Sequence, residues 1–282
     1  MDKSTIDEIF PPFEPEPGPQ RRLRTVPMRV LIPNLVTLMA LASGLTSVRF
    51  AIEGRLEHAA LALVAAALLD GLDGRIARML KGTSRFGAEL DSLADFVSFG
   101  CAPALILYFW KLQHLKSLGW LACLLLAFAM ALRLARFNVM IDAPERPAWQ
   151  KAYAMGVPAP AGAMLALLPL NISLSGFPAF AGDSVLVLLW TVACAALCIS
   201  RLPTFSGKGI GPVPRNRVIP LLAVALIVLA LLLMHPFESI SALTLVYIAG
   251  IPLAYRRFRL EDLKAAAPAN LPVPAPTSES NA

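Results

Sequence analysis

The sequence predicts an all-α, polytopic membrane bundle of about eight transmembrane helices. Two observations lead there. Of the 282 residues, 57% are hydrophobic and 16% charged, with a mean hydropathy of +0.64, which is too apolar for a soluble domain. The apolar residues also fall into blocks long enough to cross a bilayer, which takes roughly 20 residues in a helix. These blocks are residues 30–50, 57–79, 88–110, 117–137, 154–174, 183–202, 217–234 and 238–255.

The first block follows a polar leader, which argues against a cleaved signal peptide. The second and third carry four aspartates around a short polar break, Lys81 to Arg85, that lets two helices fold back on each other. The fifth is interrupted at its start by Pro158 and Pro160. No internal repeat divides the blocks, so residues 28–260 read as one membrane-embedded domain. Residues 1–27 join PPFEPEPGPQ to RRLR and read as a disordered, basic cytoplasmic leader. Its stretch from Arg21 to Arg29 either lies on the anionic leaflet as an anchor or simply flanks the first span. Residues 261–282 read as a disordered tail.

Orientation follows from the basic residues. With both termini in the cytoplasm, all of the 25 lysines and arginines except Arg49, Arg55, Lys111 and Lys116 fall on the cytoplasmic side. That asymmetry predicts N-in, C-in. It also accounts for the net charge of +6 without nucleic acid, because the basic residues are dispersed and have no nucleic-acid motif beside them. Cys101, Cys123, Cys194 and Cys198 all lie inside spans with no histidine beside them, and read as packing residues. His58, His114 and His235 form no cluster.

The chemistry lies in residues 68–100, LLDGLDGRIARMLKGTSRFGAELDSLADFVSFG. Asp70 and Asp73 are three positions apart, Asp91 and Asp95 four, so each pair shares a helix face. A carboxylate at the bilayer centre costs at least about 2.5 kcal/mol, so four together need compensation. Divalent metal supplies it, and all-oxygen ligands suit Mg²⁺, Mn²⁺ or Ca²⁺ rather than zinc. Four carboxylates on facing helices can hold two cations that clamp both oxygens of an in-line phosphoryl displacement. Gly74, Ala77 and Gly87 keep the same surface thin, either for close approach of a diphosphate or base or for tight helix packing. Arg78 offers a fork for a phosphate.

Written out, the pattern is Asp70-x₂-Asp73-Gly74-x₂-Ala77-Arg78-x₈-Gly87-x₃-Asp91-x₃-Asp95. Every fixed position and spacer resembles the signature of the CDP-alcohol phosphatidyltransferases. Four further stretches, IPNLVTLMALASG, ELDSLADFVSFGCAPA, ALRLARFN and RLPTFSGK, look like the integral-membrane, serine-using branch of that family, which forms phosphatidylserine. The resemblance implies an enzyme that transfers phosphatidyl from CDP-diacylglycerol to the hydroxyl of L-serine, releasing CMP. It implies Asp70, Asp73, Asp91 and Asp95 as ligands of a divalent metal, Mg²⁺ or Mn²⁺ in two ions, with Asp95 also the catalytic base. It also implies Gly74, Ala77, Arg78 and Gly87 as CDP-diacylglycerol contacts, a homodimer, and a bacterial inner membrane with the active site facing the cytoplasm.

Serine's carboxylate calls for a cation at the cytoplasmic interface. Arg133, Arg136 and Lys208 stand at the cytoplasmic ends of spans four and six, as serine contacts or as positive-inside anchors. Asn138, Thr204 and Ser206 are candidate hydrogen-bond partners for the amino acid. A choline acceptor would instead favour an aromatic cage, and no aromatic cluster stands beside the motif. The alternatives are the same reaction with glycerol phosphate, an inositol phosphate or choline, an intramembrane prenyltransferase, or a membrane cation transporter. The Gly-x₂-Ala-Arg spacing argues against the prenyltransferase, and a transporter would not need Arg78.

Overall fold

The computed structural model describes residues 28–141, 153–177, 183–200, 202–205 and 215–266. The expected disorder of the leader and of tail residues 267–282, and the candidates Lys208 and Ser206, lie outside the described residues; tail residues 261–266, expected to be disordered, instead continue the last helix. In chain order the elements are α1 (Met28–Ile52), α2 (Leu56–Met79), α3 (Arg85–Asp95), a π-helical turn (Phe96–Cys101), α4 (Ala102–Trp110), a 3₁₀ turn (Leu112–Leu115), α5 (Lys116–Ile141), β1 (Tyr153–Met155), α6 (Ala159–Ala166), α7 (Leu168–Leu174), α8 (Ser184–Ile199), β2 (Pro203–Phe205), α9 (Arg215–Met234) and α10 (Pro236–Ala266).

A helix or a helix pair stands at each of the eight expected blocks, but among the described residues five segments are both long and apolar enough to cross a membrane. These are Met28–Ile52, Arg85–Trp110, Leu112–Val139, Arg217–Met234 and Pro236–Glu261. The other three fall short for separate physical reasons. Helix α2 has the length, at 24 residues, but carries Glu57, Asp70, Asp73, Arg75 and Arg78. Block 154–174 is not one helix. Pro158 starts α6 and Pro169 sits in the first turn of α7, so the block breaks into two pieces, neither long enough to span alone. Helix α8 has 16 residues.

The break between α6 and α7 has a specific repair. Pro169 has no N–H for the Leu165 carbonyl, and the Trp190 indole of α8 donates to that carbonyl at 2.9 Å instead. The fold is also not purely helical. β1 pairs with β2 antiparallel, Tyr153 opposite Phe205 and Met155 opposite Pro203. The Thr204 hydroxyl closes this clasp by donating to the Gly156 carbonyl at 2.8 Å. Strands of three residues leave no periodic signal that separates them from a loop.

Helices α1 and α2 form a hairpin across a tight turn where Gly54 takes φ +75°. The Ser43 hydroxyl of α1 crosslinks it by donating to the Ala62 carbonyl of α2 at 2.7 Å. Helix α4 and the π turn pack into this hairpin, and α5 to α8 close around them over a core that includes Leu63, Phe99, Ile106, Leu107, Met130 and Leu165. Gly44 of α1 admits Ser98 of the π turn, with whose hydroxyl any Cβ there would collide. The four cysteines are free thiols, three of them buried, as packing residues should be.

Candidate active site

The site stands where α2 ends and α3 begins. The connection is Leu80 to Ser84, with Arg85 already the first helical residue. Lys81 takes φ +49° as the chain leaves α2, and the Ser84 hydroxyl caps α3 by accepting from the Gly87 amide at 3.0 Å. Pro33 in α1 cannot bond the Arg29 carbonyl, and the backbone of Gly82 packs against that carbonyl so closely that no side chain would fit. The loop is thus held at both ends, which brings the acid faces of α2 and α3 together.

The structure brings Asp70, Asp91 and Asp95 into one group, each offering a carboxylate oxygen within 4.8 Å of the others. Asp70 of α2 and Asp95 of α3 thus face each other across the hairpin. Asp73 stands outside this group. It is 4% exposed, and its Oδ2 accepts from the Thr37 hydroxyl at 2.6 Å. Asp91 links the two parts, lying within electrostatic reach of both Asp70 and Asp73. Among the described residues no lysine or arginine forms an ion pair with any of the four. An all-oxygen group of half-buried acids without a paired side chain suits a hard divalent cation.

Beside the acids opens a cavity of about 170 Å³. It is lined by Gly74, Ala77, Arg78 and Gly87 from the motif and by Pro33, Asn34 and Thr37 from α1. The two glycines differ. A Cβ on Gly74 would meet only Arg78 Nη1 at 3.6 Å, so the wall there is open. A Cβ on Gly87 would fall 2.9 Å from Asn34 Oδ1 and 3.1 Å from Ser84 Oγ, so that glycine also serves helix packing. The sequence marks these α1 residues only as part of the stretch IPNLVTLMALASG, not as site residues. Their signal is faint: one asparagine and one threonine, three positions apart, in an apolar span.

The acceptor-side candidates separate. Arg133 of α5 is half-buried, lies within electrostatic reach of Asp95 and Tyr247, and has an Nε with no hydrogen-bond partner. Arg136 Nη1 instead donates to the Ile199 carbonyl at the end of α8, at 2.9 Å. Asn138 bonds Ser92 of α3 at 3.0 Å, and Thr204 is committed to Gly156, so the two described candidates of the three expected serine partners carry structural bonds. Tyr247 of α10 was not anticipated, because nothing near it in the chain marks it out.

A family model described as CDP-alcohol phosphatidyltransferase matches residues 30–197, the segment that holds the acids and the cavity. The chain belongs to this family. It is 37% identical over 239 residues to the CDP-diacylglycerol--serine O-phosphatidyltransferase of Mycobacterium leprae, covering 85% of this chain and 79% of that protein. It is 33% identical over 220 residues to the protein of the same name from Helicobacter pylori, covering 77% and 88%. An archaetidylserine synthase from Methanothermobacter thermautotrophicus is 35% identical over 116 residues, 39% of this chain and 48% of that protein. The eight signature positions cluster in space around one cavity and one acid group.

Proposed function

We propose that this protein transfers the phosphatidyl group of CDP-diacylglycerol to L-serine, giving phosphatidylserine and CMP. The observation that carries the reading is the joint placement of three acids within 4.8 Å and a cavity walled by the remaining signature residues. The bacterial relatives are named for serine, and the archaeal one for a serine product on another lipid, so the acceptor is what these names share.

In this reading Asp70, Asp91 and Asp95 would hold divalent metal, Mg²⁺ or Mn²⁺, with Asp73 joining through its second oxygen. Metal bound there would polarise the diphosphate and stabilise the oxygen of departing CMP. Gly74 and Ala77 let the diphosphate approach the backbone of α2, and Arg78 orients it with a forked donor. Arg133 holds the serine carboxylate near Asp95. The serine oxygen forms a bond to the phosphorus attached to diacylglycerol, the bond from that phosphorus to CMP breaks, and Asp95 accepts the hydroxyl proton. Arg136 is better suited to capping α8 than to holding serine, while Lys208 remains a serine contact in this proposal.

Eight spans with both termini in the cytoplasm would place Asp70 and Asp73 at the cytoplasmic end of α2, where soluble serine arrives. That orientation, a bacterial inner-membrane location and a homodimer belong to the same proposal. Reporter fusions at each terminus and cross-linking in native membranes test them.

The test of function is CMP release by the purified protein with CDP-diacylglycerol, Mn²⁺ or Mg²⁺, and a panel of acceptors. Serine should be used in preference to glycerol phosphate, inositol phosphate and choline. Preference for another acceptor overturns serine and keeps the reaction class. Metal flux without CDP-lipid turnover overturns both.

A further inference from the structure

Thr37 sits in the apolar interior of α1, 5% exposed. A threonine in mid-helix ordinarily returns its hydroxyl hydrogen to the carbonyl four residues back. Here that carbonyl, on Pro33, is 3.2 Å away, whereas Asp73 Oδ2 on α2 is at 2.6 Å. The shorter contact has the length of a charge-assisted O–H to carboxylate bond. The hydroxyl therefore serves the acid rather than its own helix.

The consequence is particular to Asp73. Asp70, Asp91 and Asp95 lie together as a group, whereas Asp73 stands apart and is gripped from the neighbouring helix. A carboxylate with one oxygen tied to a rigid hairpin keeps one rotamer and presents its second oxygen in a fixed direction. Thr37, Asp73, Gly74 and Asp91 all line the same cavity, so that direction matters to whatever binds there.

We propose that Thr37 is a positioning residue for Asp73, holding its Oδ2 so that the other carboxylate oxygen faces the divalent cation beside Asp91. The inference rests on the metal-site reading above. Partners that orient a metal ligand from outside typically contribute 10–100-fold to metal affinity or activity.

The experiment uses the purified full chain, with Mn²⁺ binding followed by electron paramagnetic resonance alongside kcat and KM. Thr37→Val keeps the shape and removes the hydroxyl, while Thr37→Ala and Thr37→Ser differ by one oxygen atom. Thr37→Val and Thr37→Ala should weaken Mn²⁺ binding and lower kcat by about 10–100-fold, with the serine KM little changed. Thr37→Ser should restore both. Equal behaviour of the Ala and Ser variants overturns the proposal, and so does loss of the folded state in both Val and Ala variants, which would make the hydroxyl a packing strut. Asp73→Asn is measured in parallel. If it weakens Mn²⁺ binding while Thr37→Ala does not, only the positioning role fails. If Asp73→Asn leaves Mn²⁺ binding unchanged, the metal reading at Asp73 fails with it.

Discussion

The acid side and the acceptor side of this site are assembled by different routes. Asp70 to Asp95 come from two consecutive helices joined by a capped loop, and the chain between them has little freedom to place them otherwise. The proposed acceptor side joins Arg133 of α5 to Tyr247 of α10, which the β2 residue Thr204 adjoins, segments separated by long stretches of chain. Local spacing fixes the first. The second exists only because the β1–β2 clasp and α10 pack where they do. Under the proposed function, phosphatidyl transfer can therefore rest on the acid side, while the choice of acceptor can change with packing elsewhere.

The comparison breaks most directly at the acids. Asp70→Asn, Asp91→Asn and Asp95→Asn should each reduce CMP release to background in a radiolabelled-lipid assay, with the protein still inserted and its melting temperature retained. Exhaustive chelation should do the same to the unmodified enzyme, and added Mn²⁺ or Mg²⁺ should restore it. Near-normal turnover in any of the three variants would separate the acid group from the reaction.

A smaller effect is expected on the acceptor side. Arg133→Gln removes a charge-assisted bond worth roughly 1.5–3 kcal/mol, so the serine KM should rise on the order of 10- to 100-fold while CDP-diacylglycerol KM stays nearly constant. Serine methyl ester should be a poor substrate for the parent and less disfavoured by the variant. Arg136→Gln, which frees the Ile199 carbonyl, should lower the melting temperature more than it changes the serine KM. A large KM effect at Arg136 instead would redraw the acceptor side.

The two glycines sharpen the contrast inside the acid side. Gly74→Leu fills open cavity wall and should weaken CDP-diacylglycerol binding, measured by titration, with stability kept. Gly87→Leu must displace Asn34 and should lower stability as well. The smallest effect on turnover is expected from Trp190→Phe, far from the acids. It leaves the Leu165 carbonyl without its donor and should cost about 1–3 kcal/mol in unfolding experiments.

What the sequence by itself determined was the set of long apolar segments, the pairing of acids on helix faces and the thin surface beside them. Each of these depends on periodicity and on residue chemistry within one or two helical turns, and such interactions survive in any packing. Span membership was less legible where one property competed with another: α2 has the length but too many charges, and the prolines around 154–174 divide what apolarity joins. The tertiary structure decided which residues from outside the motif reach it. It set Thr37 against Asp73, Asn34 against Gly87 and Arg133 near Asp95, and it committed Asn138 to Ser92 and Thr204 to Gly156. Those contacts join residues distant in sequence, whose hydroxyls, amides and guanidinium groups have several partners available until packing selects one.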